Sequence, residues 1–254
     1  MGGMQTEIFQ GKVEALKIEE SLKELGSVKG KKLLIIQADG ASEESVYVKL
    51  KREMGERLGV KIEVIRTGDK KKVLELIEKA NEDIEVDGVL VQLPILGADR
   101  VEVEQILSSI SLEKDVDGLN PKSSFVPSVV MAVETVLEKI NLGREKSIGL
   151  VGSAGMVGRR LYDRLLEIGY VVSGFEDGDD LMTLSEFDVV ISTTGVAEVI
   201  KAEMVKEGFI GIDLGFPRAE ISLEASKKAR FITPIPGGVG PLTVVCLFEN
   251  LGEI

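Results

Sequence analysis

Short apolar runs separated by segments of helical period recur along this chain, and that alternation limits the folds open to it. Lys32–Ala38, Lys61–Arg66 and Val86–Leu93 read as strands. Between and after them come helical patterns at Glu43–Leu58, Lys70–Asn81 and Val101–Ile110. A loop, Glu113–Pro121, follows, then a helix over Ser128–Ile140. The pattern then restarts with strands at Ser147–Val151, Tyr170–Phe175, Asp188–Thr194 and Phe209–Leu214. Helices are expected at Met156–Ile168 and Lys201–Lys206, with a final apolar helix at Leu242–Leu251 after a loop rich in proline and glycine. Strands separated by helices of this length pair in parallel through right-handed crossovers. The expected class is α/β, as two α/β domains meeting near residues 120–145.

At 254 residues the chain has room for two cores. Its 31 basic and 43 acidic residues leave a net charge of −12, which argues against a nucleic-acid backbone or an anionic membrane as partner. No run reaches the length of apolar residues that crosses a bilayer, and Met1–Glu7 lacks a basic start followed by an apolar stretch. The one cysteine, Cys246, sits in the apolar run Leu242–Leu247 and reads as a buried thiol in a reducing compartment. A cytoplasmic location is expected. There is no histidine. Ser-His-Asp and Cys-His nucleophiles and histidine-liganded zinc are therefore excluded, and proton transfer near neutrality falls to lysine, carboxylate, tyrosine or water.

Within the Glu43–Leu58 segment, with Ser42 placed as N-cap, Tyr47, Leu50, Met54 and Leu58 share one face. Lys51 falls roughly 40° from Tyr47, inside that stripe rather than among the other charges. It either runs its methylenes along the stripe and puts its head into water, or it is a buried amine with a lowered pKa.

Four stretches carry chemistry. In Ile148-Gly-Leu-Val-Gly152-Ser-Ala-Gly155-Met-Val-Gly158 a strand runs into closely spaced glycines and a helix. That order turns backbone N–H groups and a helix N-terminus towards a phosphate. The next strand ends at Glu176, about 20 residues on, where a dinucleotide site holds the adenosine ribose. Glu176, and the lack of a basic residue in the loop before Arg159, favour NAD over NADP. In Asp87-Gly-Val-Leu-Val-Gln92-Leu-Pro94, Gln92 lies near the carboxyl end of a strand, facing a ligand or satisfied by the neighbouring loop. Lys114-Asp115-Val-Asp117-Gly118 offers two carboxylates but no third ligand, so no metal is expected. Thr233-Pro-Ile-Pro-Gly-Gly-Val-Gly-Pro241-Leu-Thr243 combines stiff and closely approachable backbone, as a ligand-contacting loop would.

In this order, Y-V-x-x-K, D-G-x-L-V-Q-L-P, K-D-V-D-G and T-P-x-P-G-G-V-G-P-x-T resemble the signatures of methylenetetrahydrofolate dehydrogenase/methenyltetrahydrofolate cyclohydrolases. The resemblance implies a folate-binding catalytic domain from 1–126 and 236–254, and a Rossmann-like NAD(P)-binding domain from 127–235. It implies Lys51 as catalytic lysine, with Tyr47, Gln92 and Asp117 beside it. Val91, Leu93, Pro236, Gly237, Gly238, Gly240, Pro241 and Thr243 would line the folate. Gly152, Ser153, Ala154, Gly155, Met156, Val157, Gly158, Glu176, Thr194, Gly195 and Phe216 would hold the dinucleotide. Tetrahydrofolate derivatives are the implied partners, and a homodimer the implied assembly. The implied reaction is oxidation of 5,10-methylenetetrahydrofolate followed by hydrolysis to 10-formyltetrahydrofolate. A member with one of the two activities, or a binding protein without turnover, are the alternatives. The chain departs from the family pattern in its dinucleotide half. The loop lacks the arginine and serine of G-R-S-x-x-V-G, Gly174-Phe-Glu176-Asp177 replaces a C-H-S-type strand end, and Phe125-Val-Pro-Ser128 stands for F-x-P-C-T-P. The G-D-V segment before the last loop is expected to be missing.

Overall fold

The computed structural model describes residues 6–254; most of the Met1–Glu7 stretch weighed above lies outside the described residues. In chain order the elements are β1 (Glu7–Ile8), α1 (Gly11–Leu25), β2 (Lys32–Gln37), α2 (Val46–Leu58), β3 (Lys61–Arg66), α3 (Lys70–Glu82), β4 (Gly88–Gln92) and α4 (Arg100–Ser108). Next come α5 (Ser128–Lys139), β5 (Ser147–Val151), α6 (Met156–Glu167), β6 (Val171–Phe175), β7 (Val189–Ser192), β8 (Ile210–Asp213), α7 (Leu223–Ser226), β9 (Phe231–Ile232) and α8 (Val239–Glu253). The described residues form two compact units, one of Leu16–Ser128 with Val244–Ile254, the other of residues 6–15 with Val129–Thr243.

The first unit holds a parallel sheet ordered β3-β2-β4. Its strands are apolar on both faces: Leu33, Ile35, Ile36, Val89 and Leu90 are all buried, as crossover helices require. Late in α8, Asn250 Nδ2 donates to the carbonyls of Val116 and Val126, both at 2.9 Å, which fixes the end of that helix within the unit.

The second unit is a parallel sheet ordered β1-β9-β8-β7-β5-β6. From β5 the chain steps outward to β6, then returns to β7 on the other side of β5. Strand order therefore reverses between β5 and β7, which opens a crevice at their carboxyl ends. Val151, Val190, Leu184, Phe209 and Ile221 contribute to the core beneath it.

Several boundaries differ from the sequence reading, for identifiable reasons. Helix α2 begins at Val46 and is capped by Ser45, whose hydroxyl accepts from the Val48 N–H, where Ser42 and Glu43 were expected. Buried Gln37 ties residues 39–45 into a loop, donating to Asp39 Oδ1 and the Glu43 carbonyl and accepting from the Ser45 N–H. Val48 takes the core position on α2 and Leu50 is exposed. The helix expected over Lys201–Lys206 is a single 3₁₀ turn, Ala202–Met204. Inside the expected final loop, Phe231–Ile232 pairs as β9, and α8 starts at Val239, before Leu242. Elements β1, α1 and α7 had no counterpart in the periodicity. Residues 6–15 and 236–243 group with the second unit, where the expected division placed them with 1–126. Pairing of β1 to β9 (Glu7 opposite Phe231) accounts for the first of these shifts.

Candidate active site

The ends of β2 and β4 lie side by side, with Gln37 in register with Gln92. Gln37 anchors the loop into α2, and α2 in turn carries Lys51 towards β4. Lys51 is only 4% exposed, and its Nζ donates to Gln92 Oε1 at 3.0 Å. Gln92 Nε2 donates onward to the Leu93 carbonyl at 3.1 Å, so both ends of the amide are engaged. Of the two readings open for Lys51, the buried one describes the structure. Burial pushes its pKa below the ordinary value of 10.5, opposed by the nearby negative charge of Asp117.

Asp117 arrives on a strand-like stretch beside β4, where Asp115 bridges Val89 and the Val89 N–H donates to the Lys114 carbonyl at 2.8 Å. The turn that follows needs Gly118 at φ +66°, packed against the backbone of Phe125 and Pro127. Asp117 accepts the hydroxyl of Ser128, the residue that replaces the expected cysteine. Buried Asp115 accepts the Asn120 N–H at 2.9 Å, and burial raises its pKa. Tyr47, one turn before Lys51, is half-buried, and desolvation raises its pKa as well. Lys51, Gln92, Asp117 and Tyr47 thus gather in one unit. Val91 points into that unit's core, while Leu93 enters through its carbonyl.

Pro236, Gly237, Gly238, Gly240, Pro241 and Thr243 belong to the second unit. Gly237 has φ +102°, and the Gly238 N–H donates to the Pro234 carbonyl at 2.8 Å. A Cβ on Gly11 would come 1.8 Å from the Gly238 carbonyl oxygen, so these backbones pass in direct contact.

At the crevice, Gly152 turns the chain at φ +85° and α6 starts after Gly155 with no side chain capping its N-terminus. A Cβ at Gly158 would meet the Gly152 oxygen at 2.0 Å. The turn and the open first-turn amides of Met156, Val157 and Gly158 therefore suit a pyrophosphate. Thr193 Oγ1 donates to the carbonyls of Val151 and Gly152, both at 3.1 Å, stitching the loop after β7 to this turn. Glu176 does lie at the end of β6, but its carboxylate accepts the Ser153 hydroxyl and the Ala154 N–H. Gly174 makes this fit possible, since a Cβ there would meet Ser153 Oγ at 2.4 Å. Phe216 is 47% exposed beyond β8.

The periodicity missed Glu220. The G-D-V letters are indeed absent before the last loop, yet Ala219-Glu220-Ile221 supplies a buried carboxylate there, bonded to Ser192, Thr194 and Gly195. A lone glutamate in a short polar stretch carries no signal of this kind.

A doubly wound sheet with a glycine turn at its reversal point, joined to a second α/β unit with an engaged, buried lysine, defines a dinucleotide-binding α/β protein of two units. The chain belongs to the tetrahydrofolate dehydrogenase/cyclohydrolase family: residues 9–117 match its catalytic domain and residues 127–254 its NAD(P)-binding domain. It is 34% identical to the bifunctional protein FolD of Mycoplasmopsis synoviae, over 93% of this chain and 94% of that one. It is likewise 34% identical to that of Aquifex aeolicus, over 96% and 93%. The crystal structure of the bifunctional FolD enzyme of Campylobacter jejuni superposes with a TM-score of 0.86 at 31% identity, over 98% of both chains.

Proposed function

We propose that this protein oxidises 5,10-methylenetetrahydrofolate with a nicotinamide dinucleotide and hydrolyses the methenyl product to 10-formyltetrahydrofolate, with Lys51 central to the hydrolysis. The observation that carries the assignment is the Lys51 amine, buried, its pKa lowered by that burial, and held by Gln92 at 3.0 Å. A neutral amine accepts a proton from the water that adds to the methenyl carbon. Gln92 aims that amine, because its carbonyl oxygen accepts from Nζ while its NH₂ is tied to the Leu93 carbonyl. Asp117, fixed by Ser128, presents a carboxylate to the N–H donors of the pterin. Tyr47, one turn earlier on α2, would meet the folate beside the amine. A bound nicotinamide supplies the hydride acceptor. Gly152 to Gly158 would hold its pyrophosphate, and Thr194, Gly195 and Phe216 would border the rest.

For the cofactor, we infer NAD in preference to NADP. A 2′-phosphate near the end of β6 would meet the Glu176 carboxylate, with no arginine in the loop to balance it. A homodimer is the assembly we infer. Ile8 and Leu223, both well exposed, border a surface cavity of about 820 Å³ in the second unit, apolar surface that a second copy would cover. A cytoplasmic location fits the buried Cys246. No helix among the described residues is long and apolar enough to cross a membrane.

The test mixes the protein with 5,10-methylenetetrahydrofolate and NAD or NADP in turn, following methenyl and reduced-cofactor absorbance. Reduction with neither dinucleotide would sink the dehydrogenase. Methenyl loss no faster than in buffer would sink the hydrolase, and a higher kcat/KM with NADP would overturn the reading of Glu176. Lys51→Met is expected to lower hydrolysis by at least about 100-fold, the scale of a lost general base.

A further inference from the structure

Glu220 is a charged side chain that neither the reaction nor the glycine turn calls for. It is 2% exposed, and its carboxylate accepts from four groups at the end of β7. Oε2 takes the Ser192 hydroxyl, the Thr194 N–H at 2.7 Å and the Thr194 hydroxyl at 2.8 Å; Oε1 takes the Gly195 N–H at 2.7 Å. Thr194 Oγ1 accepts in turn from the Val196 N–H at 3.0 Å. Glu220 is itself clamped. Its N–H and that of Ile221 donate to Asp213 Oδ2, both at 2.8 Å, and Asp213 Oδ1 takes the Gly215 N–H at 2.8 Å. Two buried carboxylates thus tie the loops after β7 and β8 to one point.

Burying a carboxylate is costly unless it is fully hydrogen-bonded, and a simple connection after a strand needs none. What this loop borders gives the anion its use. It follows β7, the strand across the crevice from the glycine turn. Glu176 lies on the opposite side of β5, at the end of β6 where a dinucleotide places its adenosine. With a pyrophosphate at the turn between them, the other half of a bound dinucleotide would lie towards the loop after β7. We propose that Glu220 is a positioning residue for the nicotinamide half of the dinucleotide, setting the shape of residues 193–196 through Thr194 and Gly195. It touches no substrate and has no part in hydrolysis. The proposal rests on the dehydrogenase reading above.

The test uses the full-length protein with Glu220→Gln, Glu220→Asp and Ser192→Ala, with NAD and ADP titrated by calorimetry. ADP carries the adenosine and pyrophosphate but lacks the nicotinamide. Glutamine keeps the volume and one acceptor but loses the charge, so NAD affinity is expected to fall about tenfold or more. ADP affinity and dinucleotide-free hydrolysis of methenyltetrahydrofolate are expected to stay within about twofold of the parent. Glu220→Asp is expected to recover part of the NAD affinity. Should the glutamine variant fail to fold, Ser192→Ala, which removes one of the four donors, is expected to weaken NAD but not ADP. Equal weakening of NAD and ADP, or no weakening of NAD, overturns the proposal and leaves the dehydrogenase standing. A parent protein that binds neither NAD nor NADP overturns both.

Discussion

Lys51 and Asp213 are ionisable groups held inside the protein, and burial moves them in opposite directions. For Lys51 the folded state binds fewer protons than the unfolded chain between its lowered pKa and 10.5. Stability from this group therefore rises with pH across that window, and the penalty is full below it. Lys51→Met removes the penalty. Its melting temperature at pH 7 is expected to equal or exceed that of the parent, with the difference shrinking towards pH 10.5; a less stable variant at pH 7 would contradict this. Asp213 is pushed up to about 6 by burial, against three backbone N–H donors that pull it down and the neighbouring Glu220 that adds to the rise. Its folded state binds more protons than the unfolded chain between 3.8 and about 6, so its contribution falls as pH rises through that range. Carboxyl-carbon NMR is expected to show an aspartate titrating near pH 6. In a chain without histidine no imidazole can be confused with it. The stripe on α2 made Lys51 conspicuous in the sequence, but spacing could not decide its burial. That depends on β4, whose Gln92 is 41 positions away.

At the scale of elements, α2 shows how a candidate catalytic side chain is aimed. Ser45 caps the helix and Gln37 fixes the loop before it. Ser45→Ala is expected to cost about 1 kcal/mol in denaturant unfolding, the usual loss of an N-cap. The variant is also expected to weaken hydrolysis, because the first turn of α2 carries Tyr47. Unchanged unfolding would show that Gln37 alone holds this end. Most strands of five or six residues and most helices of about three turns were readable because their side-chain periods are long enough to count, although the 15-residue α1 was missed. Strands β1 and β9 have two residues each, and their pairing depends on an edge no local pattern reveals. Ser42 and Ser45 are equally good caps as letters. Gln37 chose between them.

At the scale of the whole molecule, both units place their polar groups beyond the carboxyl ends of parallel strands. Apolar strands and helical spacing made that architecture legible, and the signature stretches made the family legible. Hydrogen bonds joining distant segments stayed hidden, as in Glu220 with Thr194 or Asn250 with Val116 and Val126. A net charge of −12 repels itself in the compact state. Raising sodium chloride from low to about physiological ionic strength is expected to raise the urea midpoint, since surface charges are screened beyond about 8 Å there. A falling midpoint would mean that the ion pairs outweigh the excess acid.

The hydrogen bond that steers the Lys51 amine also determines how the protein meets electrophiles. Burial lowers the pKa of this amine, so at a given pH more of it is free to act as a nucleophile than of a hydrated surface lysine. A small acylating reagent shaped to enter beside Tyr47 would acquire a covalent anchor there, and bound folate would shield it. The feature that favours proton transfer thus marks this lysine as a handle for irreversible ligands.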